Sequence, residues 1–390
     1  MSEGIASLML IQGEGKRGDD FASFLRGSGY TVREVRTIEQ SQRHLEHFCV
    51  DAILLDLELP NDEGISILHK LSDFDIPIIA LARREVMSGA LEALRFGACD
   101  YIKWPSKEPV ALQHALNRAV EQARLRREIG EYSNKLEQVN RDLQVTLDNL
   151  KTDLQAGRHV QFGLLPDNPK TLGNFEFSHA MLPSMYLSGD FVEYFKLGDE
   201  HALFFIADVS GHGASSAFVT VMLKNLFARK RSDYMHHGAK TIWSPAEMLA
   251  RANRELLGME ISKHVTMCVG LLNTTTGDLT YSIAGHLPLP VMISAEKAVF
   301  LEGHNMPVGL FEEVEYEEHK SVLPKSSALV LFSDGILEVM GGDDIANKEQ
   351  HLLDVLLPRP AFIEDIVELF RIDQLEEAPD DIAVLLISRT

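Results

Sequence analysis

No proline interrupts the chain between Pro109 and Pro166, and inside that stretch Leu125, Ile129, Tyr132, Leu136, Val139 and Leu143 recur at alternating intervals of four and three residues. Leu147, Leu150 and Leu154 carry the stripe on. Only a helix has that period. Two successive intervals of four at Leu143 act as a stutter in a heptad pattern. The stripe favours a coiled coil over a solvated single helix, because it gives a second helix an apolar seam to bury. The expected helical linker covers residues 121–157 and divides the 390 residues into two parts, each long enough to own a core.

Ahead of the linker, short apolar runs at Ser7 to Ile11, Tyr30 to Glu34, Asp51 to Leu55, Ile76 to Leu81 and Ala98 to Ile102 alternate with helix-like stretches. Five such βα units imply a parallel sheet covered on both faces, within a domain over 1–120. Beyond the linker, from 158 to 390, strand-like runs punctuated by Gly, Asp and Pro are interleaved irregularly with helical stretches at Ala214 to Arg231 and Pro245 to Gly258. That texture is α+β, a layered β domain. The chain is therefore expected to be multidomain.

A net charge of −21 repels phosphate backbones and anionic headgroups, which disfavours DNA and membrane partners. No apolar run approaches the ~18 residues of a membrane span, and the opening residues read as a first strand and not as a leader, so a cytoplasmic location is expected. Cys49, Cys99 and Cys268 match neither a disulfide framework nor a zinc spacing and are expected to be reduced core residues.

The chemistry lies in carboxylates. The strands containing Asp190 and Asp208 flank a turn at Leu197 to Glu200. Centring that turn on Gly198 and Asp199 sets Asp190 opposite Ala207 and diagonal to Asp208, so that a bulge or the strand end must re-aim one acid. Asp334 closes the strand Ala328 to Phe332, and Asp380-Asp381 opens the strand Ile382 to Ser388. Antiparallel pairing would bring those two ends to one edge. Several acids at strand termini, without a His or Cys cluster at ligand spacing, suit hard cations such as Mg²⁺ or Mn²⁺, two of which can activate a water against a phosphate ester. Acids beside glycine also occur in plain turns, so the set carries the argument and no single motif does.

These residues resemble a family. Gly189-Asp190-Phe191, Ala207-Asp208-Val209-Ser210-Gly211-His212-Gly213, Ala284-Gly285-His286-Leu287-Pro288, Pro307-Val308-Gly309-Leu310, Phe332-Ser333-Asp334-Gly335 with Glu338, and Asp380-Asp381-Ile382-Ala383-Val384 stand in the order seen in metal-dependent serine/threonine phosphatases of the SpoIIE/RsbU type. The resemblance implies a β-sandwich flanked by helices, with two Mn²⁺ or Mg²⁺ ions at one edge. It implies that Asp208 bridges both ions with help from the Val209 carbonyl, that Asp190, Asp334 and Asp380 complete the set, and that Asp381 supports them from behind. His212 either donates a proton to the leaving serine oxygen or caps its turn. His286 is open between loop structure and site.

In the first part, Gly13-Glu14-Gly15-Lys16-Arg17-Gly18 after a strand matches a dinucleotide fingerprint, and Glu34 could serve the ribose, but a lone match is weak. A longer set, Asp51 to Pro60 with Gly64, Pro77 to Leu81 and Phe96 to Pro105, resembles bacterial response-regulator receiver domains of flavodoxin-like fold. That resemblance makes Asp56 the candidate phosphoacceptor, beside a Mg²⁺ site. Gln12 and Gly13 stand where the acidic pair belongs, leaving Glu14 as a substitute, Ala82 replaces the switch hydroxyl, and Trp104 replaces the lysine, with Lys103 one place early. A receiver fold with impaired or absent phosphorylation ranks first, a conventional phosphoacceptor second and a dinucleotide binder third.

The order of receiver, long helix and phosphatase resembles RssB-type regulators of the stationary-phase sigma factor and other phosphatase-output regulators of partner-switching pathways. It implies a response regulator that dephosphorylates phosphoserine or phosphothreonine on a protein such as an anti-anti-sigma factor. Separately, the apolar stripe from Leu125 to Leu154 must bury itself on a partner helix or stay exposed at a cost, which predicts a homodimer through the central helix. The alternative is a non-catalytic adaptor that binds a sigma factor or its antagonist.

Overall fold

The computed structural model describes residues 5–13, 16–59, 63–83, 87–104, 109–340, 344–357, 360, 362–375 and 378–389. They divide into two compact units, Met1–Val145 and Thr146–Thr390.

In the first unit β1 (Ser7–Ile11), α1 (Lys16–Gly27), β2 (Thr31–Val35), α2 (Ile38–His47), β3 (Ala52–Asp56), α3 (Glu63–Leu71), β4 (Ile78–Ala82), α4 (Met87–Arg95) and β5 (Ala98–Lys103) alternate as the apolar runs foretell. All strand pairs are parallel, in the order β2-β1-β3-β4-β5. The even-numbered residues Leu8, Leu10, Ala52 and Leu54 enter one core, and Met9, Ile11, Ile53 and Leu55 enter another on the opposite face. That burial on both faces is why β1 after Ser7 and β3 before Asp56 are apolar. Locally, Thr37 caps α2 by accepting from the Gln40 amide.

The expected linker range falls inside a longer helix, α5 (Pro109–Gly163), of 55 residues. Its first turns put Leu112, Ala115, Leu116 and Ala119 into the receiver-side core. The stripe beyond is exposed: Leu136 is 62% and Tyr132 72% accessible. Among the described residues no helix is long and apolar enough to cross a membrane.

The second unit continues with β6 (Lys170–Leu172), β7 (Phe175–Leu182), β8 (Asp190–Leu197), β9 (His201–Val209), α6 (Ala214–His237), α7 (Pro245–Leu257), β10 (Val265–Asn273), β11 (Asp278–Ala284), β12 (Val291–Ile293), β13 (Ala298–Phe300) and β14 (His319–Val322). It closes with β15 (Ala328–Phe332), α8 (Gly335–Val339), α9 (Ile345–Leu356), α10 (Ile363–Leu369) and β16 (Ile382–Arg389). Two sheets form, ordered β14-β11-β10-β9-β8 and β13-β12-β15-β16-β7-β6. Phe177, Tyr194, Phe204, Tyr281, Leu331 and Leu385, drawn from both sheets, share one core. The other face of the first sheet packs Phe191, Phe205 and Val269 against Leu223, Phe227 and Leu249 of α6 and α7, and that of the second packs Val330, Val384 and Leu386 against Ile336, Leu352 and Ile366 of α8 to α10. Ser244 caps α7 through the Glu247 amide, with Pro245 in the first turn where its missing N–H costs nothing.

The cysteine expectation is corrected. Cys268 is buried, whereas Cys49 and Cys99 are exposed. Cys99 lies on β5, an edge strand, and Cys49 just past the end of α2, places where the alternation of buried residues gives no cover.

Candidate active site

The β8–β9 hairpin brings the first two acids together. Asp190 pairs directly with Asp208, and Leu197 with His201. The expected pairing with Ala207 is one residue off, because the loop holds three residues, Gly198, Asp199 and Glu200, with Gly198 at φ +64°. Directly opposed residues share a face, so both carboxylates reach the same side without a bulge. On the second sheet, Phe332 pairs with Val384 and the Ser333 amide donates to the Ala383 carbonyl at 2.9 Å, which brings Asp334 beside the start of β16. A Cβ on Gly335 would sit 2.1 Å from the Asp381 carbonyl oxygen, so glycine after Asp334 is what lets these two chain ends close.

Asp190 is 1% exposed, and its Oδ2 has no hydrogen-bond partner. Burial holds its carboxyl well above the usual range, and Asp208, Asp381 and Asp334 push the same way against a Ser333 hydrogen bond. Burial raises Asp208 to about 7, aided by Asp334, Asp380 and Asp381 and opposed by the Thr266 hydroxyl at 3.3 Å. Asp334 is raised by burial, Asp380 and Glu338, and it lies within hydrogen-bonding reach of Asp208. Two carboxyls can share a hydrogen bond only when one is protonated. A divalent cation would do the same neutralising work without the proton.

Asp381 does a different job. It is 4% exposed; its Oδ1 accepts from the Ser184 amide at 2.7 Å and hydroxyl at 2.9 Å, and its Oδ2 from the Gly189 amide at 2.5 Å. It thus fastens the loop that leads into Asp190. On the far side of Asp208, Lys263 Nζ donates to the Ser210 carbonyl at 2.6 Å and the Ser216 hydroxyl at 3.0 Å, fixing the turn into α6. His212 is exposed on that turn. His286 is buried with neither ring nitrogen partnered, and burial pulls it down to about 4, so it is neutral at pH 7.

Among the described residues no three His, Cys, Asp or Glu side chains are already gathered at metal-holding geometry. The residues nevertheless fit hard divalent cations. The donor set is all oxygen, one buried carboxylate oxygen is unpartnered, and the acids raise one another's pKa for want of positive charge.

The receiver pocket is built otherwise. Asp56 Oδ1 accepts from the Glu58 amide at 3.0 Å, and the Arg83 guanidinium stands 3.5 Å from Oδ2. Gln12 donates to Glu34 at 3.1 Å, and Arg26 bonds the same carboxylate at 2.7 Å. Glu34 is therefore engaged within the fold and not presented to a ribose. Ala82 is 6% exposed, and the Trp104 ring packs 4.4 Å from Phe21 and 5.4 Å from Phe24, centroid to centroid. Lys103 is exposed at the end of β5. Glu14 and Gly15 lie outside the described residues.

The sequence reading missed Gln161, Ser188, Thr266 and Lys263. Gln161 lies beyond residue 157, where the sequence reading ends the helix, whereas the helix runs on to Gly163; a polar residue one turn before Leu164-Leu165-Pro166 is placed to meet the fold.

Comparison with known proteins agrees with this division. Residues 198–390 match the family of stage II sporulation protein E, SpoIIE, and residues 18–117 the response regulator receiver domain. Asp190 stands just ahead of the first range. The chain is 25% identical over 195 residues to phosphoserine phosphatase RsbP of Bacillus subtilis, covering 49% of this chain and 46% of that one. It is 25% identical over 191 residues to phosphoserine phosphatase RsbU of the same organism, covering 48% and 54%. The chain thus spans about half the length of these curated relatives. The SiaA-PP2C domain of Pseudomonas aeruginosa superposes with a TM-score of 0.49 at 20% identity, over 62% of this chain and 98% of that one. One polypeptide here joins a response regulator receiver domain to a SpoIIE, PP2C-type phosphatase domain.

Proposed function

We propose that this chain is a signalling protein phosphatase that hydrolyses phosphoserine or phosphothreonine on a protein partner in sigma-factor control, such as an anti-anti-sigma factor. The observation that carries the reading is the convergence of Asp190, Asp208, Asp334 and Asp380 from two sheets into one mutually repelling, partly buried group. Two bound Mn²⁺ or Mg²⁺ ions would acidify a water and neutralise the phosphate ester. Asp208, central among the acids, is assigned to both ions with the Val209 carbonyl beside it, and Asp190, Asp334 and Asp380 complete the oxygen set. Asp381 holds the loop that aims Asp190. His212, exposed on the turn after β9, is assigned the proton that the leaving serine oxygen needs.

The core shared by both sheets supports a β-sandwich as the frame of this domain. Domain limits of 1–120, 121–157 and 158–390 are kept as the working division, in a cytoplasmic protein. The receiver is assigned a degenerate site, with Arg83 already beside Asp56. That pairing leaves little call for the Mg²⁺ and lysine of a conventional site. Exposure of Leu125, Ile129, Tyr132, Leu136, Val139, Leu143, Leu147 and Leu150 supports a homodimer through α5. Burying each Leu or Ile is worth ~1.5–3 kcal/mol.

A phosphate-release assay on a phosphoserine protein tests the function. Wild type should be active only with Mn²⁺ or Mg²⁺, and Asp208→Asn inactive at unchanged fold. A wild type that binds its partner yet releases no phosphate with either metal would make the chain an adaptor.

A further inference from the structure

Residues 188 and 189, immediately ahead of Asp190, are held from two directions. Asp381, from the start of β16, takes the Gly189 amide. From the other side comes Gln161, in the last turn of α5 and 3% exposed. Its Nε2 donates to the Ser188 carbonyl at 2.7 Å and to the Thr220 hydroxyl at 3.1 Å, and its Oε1 accepts from the Ser188 amide at 3.1 Å. One side chain therefore satisfies both backbone groups of Ser188 and ties them to α6. Thr220 completes the set by giving its own hydroxyl hydrogen to the Ala217 carbonyl at 2.7 Å, which leaves its oxygen free to accept from Gln161.

We propose that Gln161 is a positioning residue for the metal site: it fixes Ser188, and through it Asp190, relative to the helix that follows the Asp208 turn. This rests on the reading of the acids as a metal site. A buried amide making three hydrogen bonds is not needed to fill space, since Met or Leu would do that without a desolvation cost. Asp190 Oδ2 is buried without a hydrogen-bond partner, and the carboxyl has one side-chain hydrogen bond, with Ser333. The rest of its aim comes from the backbone before it, where the Ser188 hydroxyl accepts from the Asp190 amide at 3.0 Å. Groups that orient ligands in this way change metal affinity or activity ~10–100-fold when lost.

The test uses the full-length chain with Gln161→Met, which keeps length and removes all three bonds, and Gln161→Glu, which keeps the acceptor and removes both donors. Mn²⁺ affinity is read by titration calorimetry, and exchange of the 184–190 amides by hydrogen–deuterium exchange. The expected result is Mn²⁺ binding weakened about tenfold or more by Met and less by Glu, faster exchange across 184–190, and phosphatase activity that recovers at saturating Mn²⁺. Variants that are less heat-stable but keep wild-type Mn²⁺ affinity and exchange would overturn the proposal and leave Gln161 a merely structural contact. A wild type that binds no Mn²⁺ would overturn the metal-site reading itself, and this proposal with it.

Discussion

The two ends of this molecule treat their acids in opposite ways. In the phosphatase domain Asp190, Asp208 and Asp334 crowd together with raised pKa values, an arrangement that destabilises the fold unless a cation answers it. In the receiver, Asp56 has an arginine at 3.5 Å, the switch position is a buried alanine, and the lysine position is a tryptophan packed on two phenylalanines. The first region gathers carboxylates that repel one another, and the second sets an ion pair and apolar packing where the receiver pattern has polar groups. The two receiver cores are built from apolar side chains and do not depend on those polar groups.

The sharpest way to break the comparison is to remove one acid from each end. Asp208→Asn should cut metal-dependent phosphate release at least a hundredfold, which corresponds to about 2.7 kcal/mol of barrier, whereas Asp56→Asn should change it less than twofold. Equal losses would show that the receiver acid still works. A small phosphodonor followed by intact-mass measurement probes the same contrast from the other side. Wild type should be modified far below one phosphoryl group per chain, and stoichiometric, stable modification would show that Glu14 and Lys103 restore the site.

How much of this was legible in the sequence follows from range. Alternation within a strand is local, so the strands Ser7–Ile11 and Ala328–Phe332 stand where their apolar runs put them. Register across the β8–β9 hairpin depends on whether the loop has two residues or three, a matter of backbone conformation at Gly198 that composition does not record. The acids were visible as motifs, but their support was not: Asp381 meets Ser184 and Gly189, and Gln161 meets Ser188 and Thr220, across separations that no periodicity spans.

The linker offers a third contrast, between the covered start of α5 and its exposed stripe. Leu136→Asp with Leu143→Asp should convert a dimer to a monomer in sedimentation at micromolar concentration, with altered phosphatase regulation. A monomeric wild type would end the dimer proposal.

A smaller effect comes from protons. The folded chain holds protons on Asp190, Asp208 and Asp334 above the ordinary value of 3.8, and Asp208 to about 7. Between those values the folded state binds more protons than the unfolded, so stability without metal should fall as pH rises from 4 to 7. Mn²⁺ competes with the same protons, so the rise in melting temperature that it produces should be larger at pH 8 than at pH 5.5. An equal rise at both would place the cation elsewhere.

The most direct measurement is an anomalous difference map from crystals of this chain grown with Mn²⁺. The account predicts two peaks ~3.5–4 Å apart among Asp190, Asp208, Asp334 and Asp380, with Asp381 still bonded to Ser184 and Gly189. A map without manganese at those carboxylates, from crystals that hold it elsewhere, would contradict it.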